Sequence, residues 1–212
     1  MQRRNFITGA TAAALLPHIA KAGEATKLIS GAADIEKIGN VVTVQGGDSH
    51  ALMKLGKNAF LVKPQSQISF ELDDSGMHVR AAKILKGAVH AAFDPQDKGQ
   101  RNVLTDFATI AIRGTAHYVE VEAALKRTYS CCCYGHIHVS ANQGTDAETQ
   151  KTTYHNARII TARGEIKPAP YSVPLNHYDD TLVEMERCVN RTPRWVLPGG
   201  KLNFFAPFEF GA

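Results

Sequence analysis

From Ile35 onward the chain runs in short apolar–polar alternations that stop at turn residues every few positions, and no other feature narrows its fold so far. Val41-Val42-Thr43-Val44 ends at Gly46-Gly47-Asp48, Ala59-Phe60-Leu61-Val62 ends at Lys63-Pro64, and Ile68-Ser69-Phe70-Glu71-Leu72 stops at Asp73-Asp74-Ser75-Gly76. Met77 to Leu85 and Ala88 to Phe93 follow, divided by Lys86-Gly87; then come Ala108 to Ile112, His117 to Val121, Arg127 to Cys133 and His136 to Val139. Alternation of this kind buries one face of a strand and wets the other. No helical periodicity appears before Asn176. The pattern predicts a mainly β protein, a two-layer β-sandwich or a short β-solenoid, with the polar stretch Asp94 to Asn102 as the loop between two halves.

One C-terminal α-helix is expected. Thr181-Leu182-Val183-Glu184 has the form of a capping box, and Leu182, Met185 and Val189 fall on one helical face. Asp179 and Asp180 suit the positive end of the helix dipole, and Pro193 is the expected stop. Five aromatics between Trp195 and Phe210 are expected to cover the open end of the core, with a partner-docking surface as the alternative.

Residues 1–22 read as an export signal. Arg3-Arg4-Asn5-Phe6-Ile7 opens the chain, a weakly apolar segment follows, and Ala20-Lys21-Ala22 offers small residues where a signal peptidase cuts. The paired arginines point to the twin-arginine route, hence to the periplasm. The formal charge of +4 falls to about +1 without this segment, because 21 basic residues then face 20 acidic ones. A near-neutral body argues against nucleic acid as a partner. No apolar run is long enough to span a membrane as a helix. The remaining chain divides into a β domain over 23–140 and a C-terminal extension over 141–212 carrying the helix, packed on the β domain.

Residues from about Gly39 to Ser140 resemble the FecR-type domain of bacterial signalling proteins. The matching residues are Gly56-x-x-Ala59-Phe60, Pro64-x-Ser66, Leu85-x-Gly87-Ala88 and the string Ala108-Thr109-Ile110-Ala111-Ile112-Arg113-Gly114-Thr115. The resemblance implies a periplasmic, all-β module of the FecR-like type that relays signals, with an envelope protein as partner. The chain departs from that family in lacking its anti-sigma helices and membrane span. As a whole it is similar to an exported branch carrying Tyr129-Ser130-Cys131-Cys132-Cys133-Tyr134-Gly135, then Tyr154-His155-Asn156-Ala157-Arg158, then Asn176-His177-Tyr178-Asp179. Arg113, Gly114 and Thr115 read as an architectural corner, since glycine permits a bulge and no nucleophile or base lies beside it.

The chemistry candidates are four cysteines, Cys131, Cys132, Cys133 and Cys188, and two histidines. Residues i and i+2 of a strand stand about 6.6 Å apart on one face. That is close to the limit of about 6.8 Å for bridging Cα atoms, so a Cys131–Cys133 disulfide requires a bent strand. Two thiolates on one face instead suit one soft ion. With His155 and His177 they make a Cys2His2 set for one zinc or copper ion, whose ligand atoms must converge within roughly 4 Å. Asp179, two residues past His177, is the expected acceptor for that imidazole. Cys132 faces the other way, toward Cys188 or toward nothing, and His136 and His138 are reserve ligands if a bulge at Tyr134-Gly135 flips the register.

The other readings are a disulfide pair, or small core cysteines in a structural or signalling adaptor without metal. Catalysis is not expected. The phosphate loop, the Gly-x-Ser-x-Gly elbow and the His-Glu-x-x-His helix are all missing from the sequence, and a Cys133–His155 nucleophile pair has no further support.

Overall fold

Glycines at 87, 114 and 135 interrupt the alternation without ending the strands that hold them, and the architecture follows from that. The structure, a computed structural model, describes residues 26–97, 99–193 and 196. The proposed signal (1–22) and the aromatics of the tail lie outside the described residues. Among the described residues the strands are β1 (Thr26–Ser30), β2 (Ala33–Ile38), β3 (Val41–Gly46), β4 (Ala51–Leu55), β5 (Asn58–Val62), β6 (Gln67–Leu72) and β7 (Val79–Ala92). They continue with β8 (Arg101–Leu104), β9 (Ala108–Glu122), β10 (Arg127–Ala141), β11 (Ala147–Thr152), β12 (Asn156–Thr161) and β13 (Ile166–Pro168), and the helix α1 spans Asp179–Cys188. The fold is mainly β with one C-terminal helix, as the alternation predicts.

Three pairs of expected strands are three long strands, β7, β9 and β10, each passing from one layer to the other. In one layer the order is β2-β3-β6, the first half of β7, β8, the first half of β9, the second half of β10, and β11. In the other it is β1-β4-β5, the second half of β7, the second half of β9, the first half of β10, β12 and β13. Among the strands of the described residues only β7 and β8 run parallel. Segments that the sequence places in the extension, β11, β12 and β13, thus add strands to both layers.

The bends have local causes. Gly87 has φ +75°, and a Cβ there would lie 2.2 Å from Ser66 Oγ, which accepts the Ala88 N–H at 2.9 Å. On β9 the backbone of Arg113 and Gly114 stands opposite the single residue His136 of β10, with register resuming at Thr115 and Gly135. This is a bulge at the corner, and Arg113 is exposed.

Two cores result. The first fills the space between layers with Val44, Met53, Phe60, Phe70, Ile84, Ile110, Val119, Cys132 and Ile137. The second lies on the outer face of the layer that holds β5, the end of β7 and the start of β10. It joins Leu52, Leu61, Tyr118, Tyr129, Cys131, Cys133 and Ile159 to Leu182 and Met185 of α1. The helix begins two residues before the capping box, with Tyr178 at the N-cap and no side-chain cap bond. It ends at Cys188, five residues short of Pro193, and Asn190 turns the chain at φ 58°. Glu186 anchors it: buried, it accepts from Tyr134 Oη and from Arg191 Nε, and Arg191 also donates to the carbonyls of Lys57 and Ala92.

Candidate metal centre

Both thiols of interest come from one strand with a defect in it. Cys132 of β10 pairs with His117 of β9, but the next pair is Tyr134 with Ala116, so Cys133 is an extra residue. The bulge bends the strand locally. It keeps both on the outer face with Tyr129, while Cys132 packs in the inter-layer core. The same bulge and the bend after it change the parity. Ile137 and Val139 share the core of Cys132, and His136 and His138 lie on the outer face of the other layer, where His138 bonds Thr149 Oγ1 at 2.9 Å. Neither belongs to the group of donors around the thiols. None of the four cysteines is in a disulfide, and Cys132 and Cys188 pack in different clusters.

His155 comes from the turn between β11 and β12. Its backbone N–H donates to the Cys133 carbonyl at 2.9 Å, and its φ of 20° is uncommon for a residue other than glycine. Its Nε2–H donates to Asp179 Oδ1 at 2.9 Å, and Tyr154 Oη donates to the other carboxylate oxygen at 2.8 Å. Nδ1 is therefore turned to Cys131 Sγ, 3.4 Å away. Asp179 orients His155 and not, as chain proximity suggests, His177.

His177 is pinned by the chain on either side. Leu175 N–H donates to Tyr129 Oη at 3.2 Å, and Asn176, at φ 58°, donates to Glu120 Oε2 at 2.9 Å. The imidazole stacks on Tyr118 at 4.3 Å and 9°. Its Nδ1–H donates to the Leu175 carbonyl at 2.6 Å, which leaves Nε2 with the lone pair. That Nε2 is buried with no hydrogen-bond partner among the described residues.

One ligand atom from each of Cys131, Cys133, His155 and His177 lies within 4.8 Å of every other. An ion bonded at 2.0–2.3 Å spaces its ligands by about 3.3–3.8 Å, so the longest edge closes by about 1 Å on binding. The residues fit the ion chemically. Two sulfurs and two nitrogens are soft enough for zinc or copper, and each imidazole has its second nitrogen occupied by an acceptor, as bound histidines do. The thiols are 0% and 1% exposed and His177 is 2% exposed, so such an ion is enclosed by protein.

Electrostatics prepare the same point. The Cys131 thiol is held well below its usual range by a hydrogen bond from Cys133 and, against the effect of burial, by one from His155. Burial and the neighbouring Cys131 push Cys133 well above it. Burial lowers His155, but the bonds to Asp179 and Cys131 outweigh it and raise the imidazole to about 9. The directions for Cys131 and His155 both favour a charge-assisted contact between the Cys131 sulfur and the His155 imidazole. An ion held here needs both thiols deprotonated and His155 Nδ1 free of its proton, so loading is coupled to proton release.

The structure also adds His90, which sequence reasoning misses because it sits on β7 between Ala88 and Ala92 in an ordinary apolar alternation. Its Nε2 lies 3.4 Å from Cys133 Sγ. The pairing of Cys133 with His155 considered from the sequence is replaced by two pairs, Cys131 with His155 and Cys133 with His90.

No family model and no curated protein matches this chain. Among solved structures, two of a candidate anti-sigma factor from Parabacteroides distasonis are similar. One has 10% identity over 61% of this chain and 59% of that one, with a TM-score of 0.49. The other has 11% identity over 60% and 58%, with the same TM-score. This chain spans less than two thirds of those proteins.

Proposed function

We propose that this protein is an exported envelope module of FecR-like type that holds one zinc or copper ion at Cys131, Cys133, His155 and His177, for binding or sensing and not for catalysis. The observation that carries the reading is the convergence of four donor atoms within 4.8 Å, drawn from three separate segments. Apolar core packing explains two buried cysteines, but not two imidazoles turned with a nitrogen toward them and the other nitrogen held by an acceptor. Enclosure supports holding over hydrolysis, because a hydrolytic ion keeps one position open to water. Hydrolysis also needs a general base, whereas Asp179 is engaged by His155 and Tyr154, and Glu165 lies in the turn between β12 and β13, bonded to Lys167. Export rests on Arg3-Arg4 and the small residues at 20 and 22, and an envelope protein is the expected partner.

The test is elemental analysis of the full protein recovered from the periplasmic fraction, with a free-thiol count before and after chelation. The expected result is one equivalent of zinc or copper, with Cys131 and Cys133 reactive only after the ion is removed, and loss of the ion in Cys131→Ser. Absence of metal together with two thiols lost to a disulfide, or four unprotected thiols in the native protein, refutes the reading.

A further inference from the structure

His90 is an exception on its face. Its same-side neighbours on β7 are Ala88 and Ala92, and the surrounding core is apolar or aromatic. The ring is 0% exposed, packs edge-on against His177 at 5.2 Å and against Tyr118 at 5.9 Å, and leaves Nδ1 without a partner among the described residues. An unpaired buried nitrogen is destabilising, so a merely space-filling residue would be better apolar. The other nitrogen is spent on one atom, Cys133 Sγ, at 3.4 Å.

The proton on that contact can be assigned. A metal-bound cysteine is a thiolate, which has lone pairs and no hydrogen. If Nε2 also presented a lone pair, the two would repel at this distance. The contact survives metal binding only when Nε2 carries the hydrogen and donates it to sulfur. The four-donor set is complete without His90, which leaves no vacant tetrahedral position for Nε2 itself.

We infer that His90 is a positioning residue of the metal centre that donates an Nε2–H···Sγ hydrogen bond to the Cys133 thiolate. This inference rests on the proposed metal-binding role and deepens it. Cys133 is fully enclosed, and nothing else among the described residues is shown donating to its sulfur. The bond stabilises the anion that the ion requires and draws electron density from sulfur, which sets how strongly a soft ion is held.

Cobalt(II) alone is the spectroscopic probe, and zinc affinity is read by competition with a chromophoric chelator. Wild type, His90→Phe and His90→Gln are compared. The wild type binds one cobalt. His90→Phe, which keeps a ring and removes the donor, also binds one, with a sulfur-to-cobalt charge-transfer band at longer wavelength and zinc affinity about tenfold weaker or more. His90→Gln, which keeps an N–H, recovers part of both. An unchanged band and affinity in His90→Phe overturns the inference. A ligand-field change showing loss of a coordinated nitrogen also overturns it, by making His90 a ligand. Failure of the wild type to bind cobalt or zinc refutes the centre itself, a separate result. Should His90→Phe not fold, the wild type loaded with the spin-active isotope of cadmium decides. Scalar coupling from the metal through Cys133 Sγ to the His90 Nε2 proton supports the bond, and its absence in a well-resolved spectrum refutes it.

Discussion

Asp179→Asn is the sharpest probe of the centre, because it alters charge while nearly preserving shape. Asp179 takes two hydrogen bonds, from His155 at 2.9 Å and Tyr154 at 2.8 Å, and its side chain is 17% exposed. Asparagine can still accept from His155 through its carbonyl oxygen, but a neutral acceptor bonds about half as strongly as a carboxylate. Removing an outer partner of a metal-bound histidine typically weakens binding 10- to 100-fold, or about 1.4–2.8 kcal/mol. We expect a zinc affinity lower by that factor in a competition titration, with stoichiometry still one. The metal-free imidazole of His155, raised to about 9 in the wild type, falls when the carboxylate is neutralised. A double-mutant cycle with His155→Ala separates this mechanism from a general loosening. If Asp179 acts by orienting His155, the double variant binds zinc no more weakly than His155→Ala alone. An unchanged affinity in Asp179→Asn, or equal losses with and without the imidazole, refutes the reasoning.

Two further outcomes concern the fold. His117, buried in the inter-layer core and bonded to Ser130 Oγ at 2.9 Å, is lowered by burial to about 4, against about 6.5 when unfolded. Its contribution is therefore fully present above pH 6.5 and is lost as pH falls toward 4, amounting to roughly 3 kcal/mol. Urea melts across that range should show a flatter pH dependence in His117→Gln; equal slopes would contradict the burial argument. Gly87→Ala should destabilise by more than about 1 kcal/mol, since it adds a Cβ 2.2 Å from Ser66 Oγ at a positive φ. A denaturation midpoint within error of the wild type would show that the β7 bend does not depend on this glycine.

Much of the site was legible because it depends on parity within one strand. Cys131 and Cys133 share a face in any strand, so their joint presentation could be read from Cys-x-Cys spacing. The bend named as the condition for a Cys131–Cys133 disulfide is present as the bulge at Cys133, yet the two thiols are unbridged. The reserve role of His136 and His138 was conditional on a bulge near Tyr134-Gly135; register shifts occur there, but β10 passes to the other layer beyond them, and His138 bonds Thr149. His90 left no trace in the sequence. A histidine two strands away looks like any residue of a half-buried strand until the sheet order places it beside the thiols. The partner of Asp179 was misread for a related reason. Nearness along the chain favoured His177, but the helix start and the β11–β12 turn meet in space, and His155 is the imidazole found there.

Residue order alone therefore sets local features: strand rather than helix before Asn176, glycines at 114 and 135 that permit bulges, the two thiols on one side, and a single helix with Leu182 and Met185 facing inward. The tertiary structure decided which distant segments share a point. Periodicity constrains only the face a residue occupies, whereas the meeting of β7, β10, the turn at His155 and the chain before α1 depends on strand order and on the bends that fold one sheet into two layers.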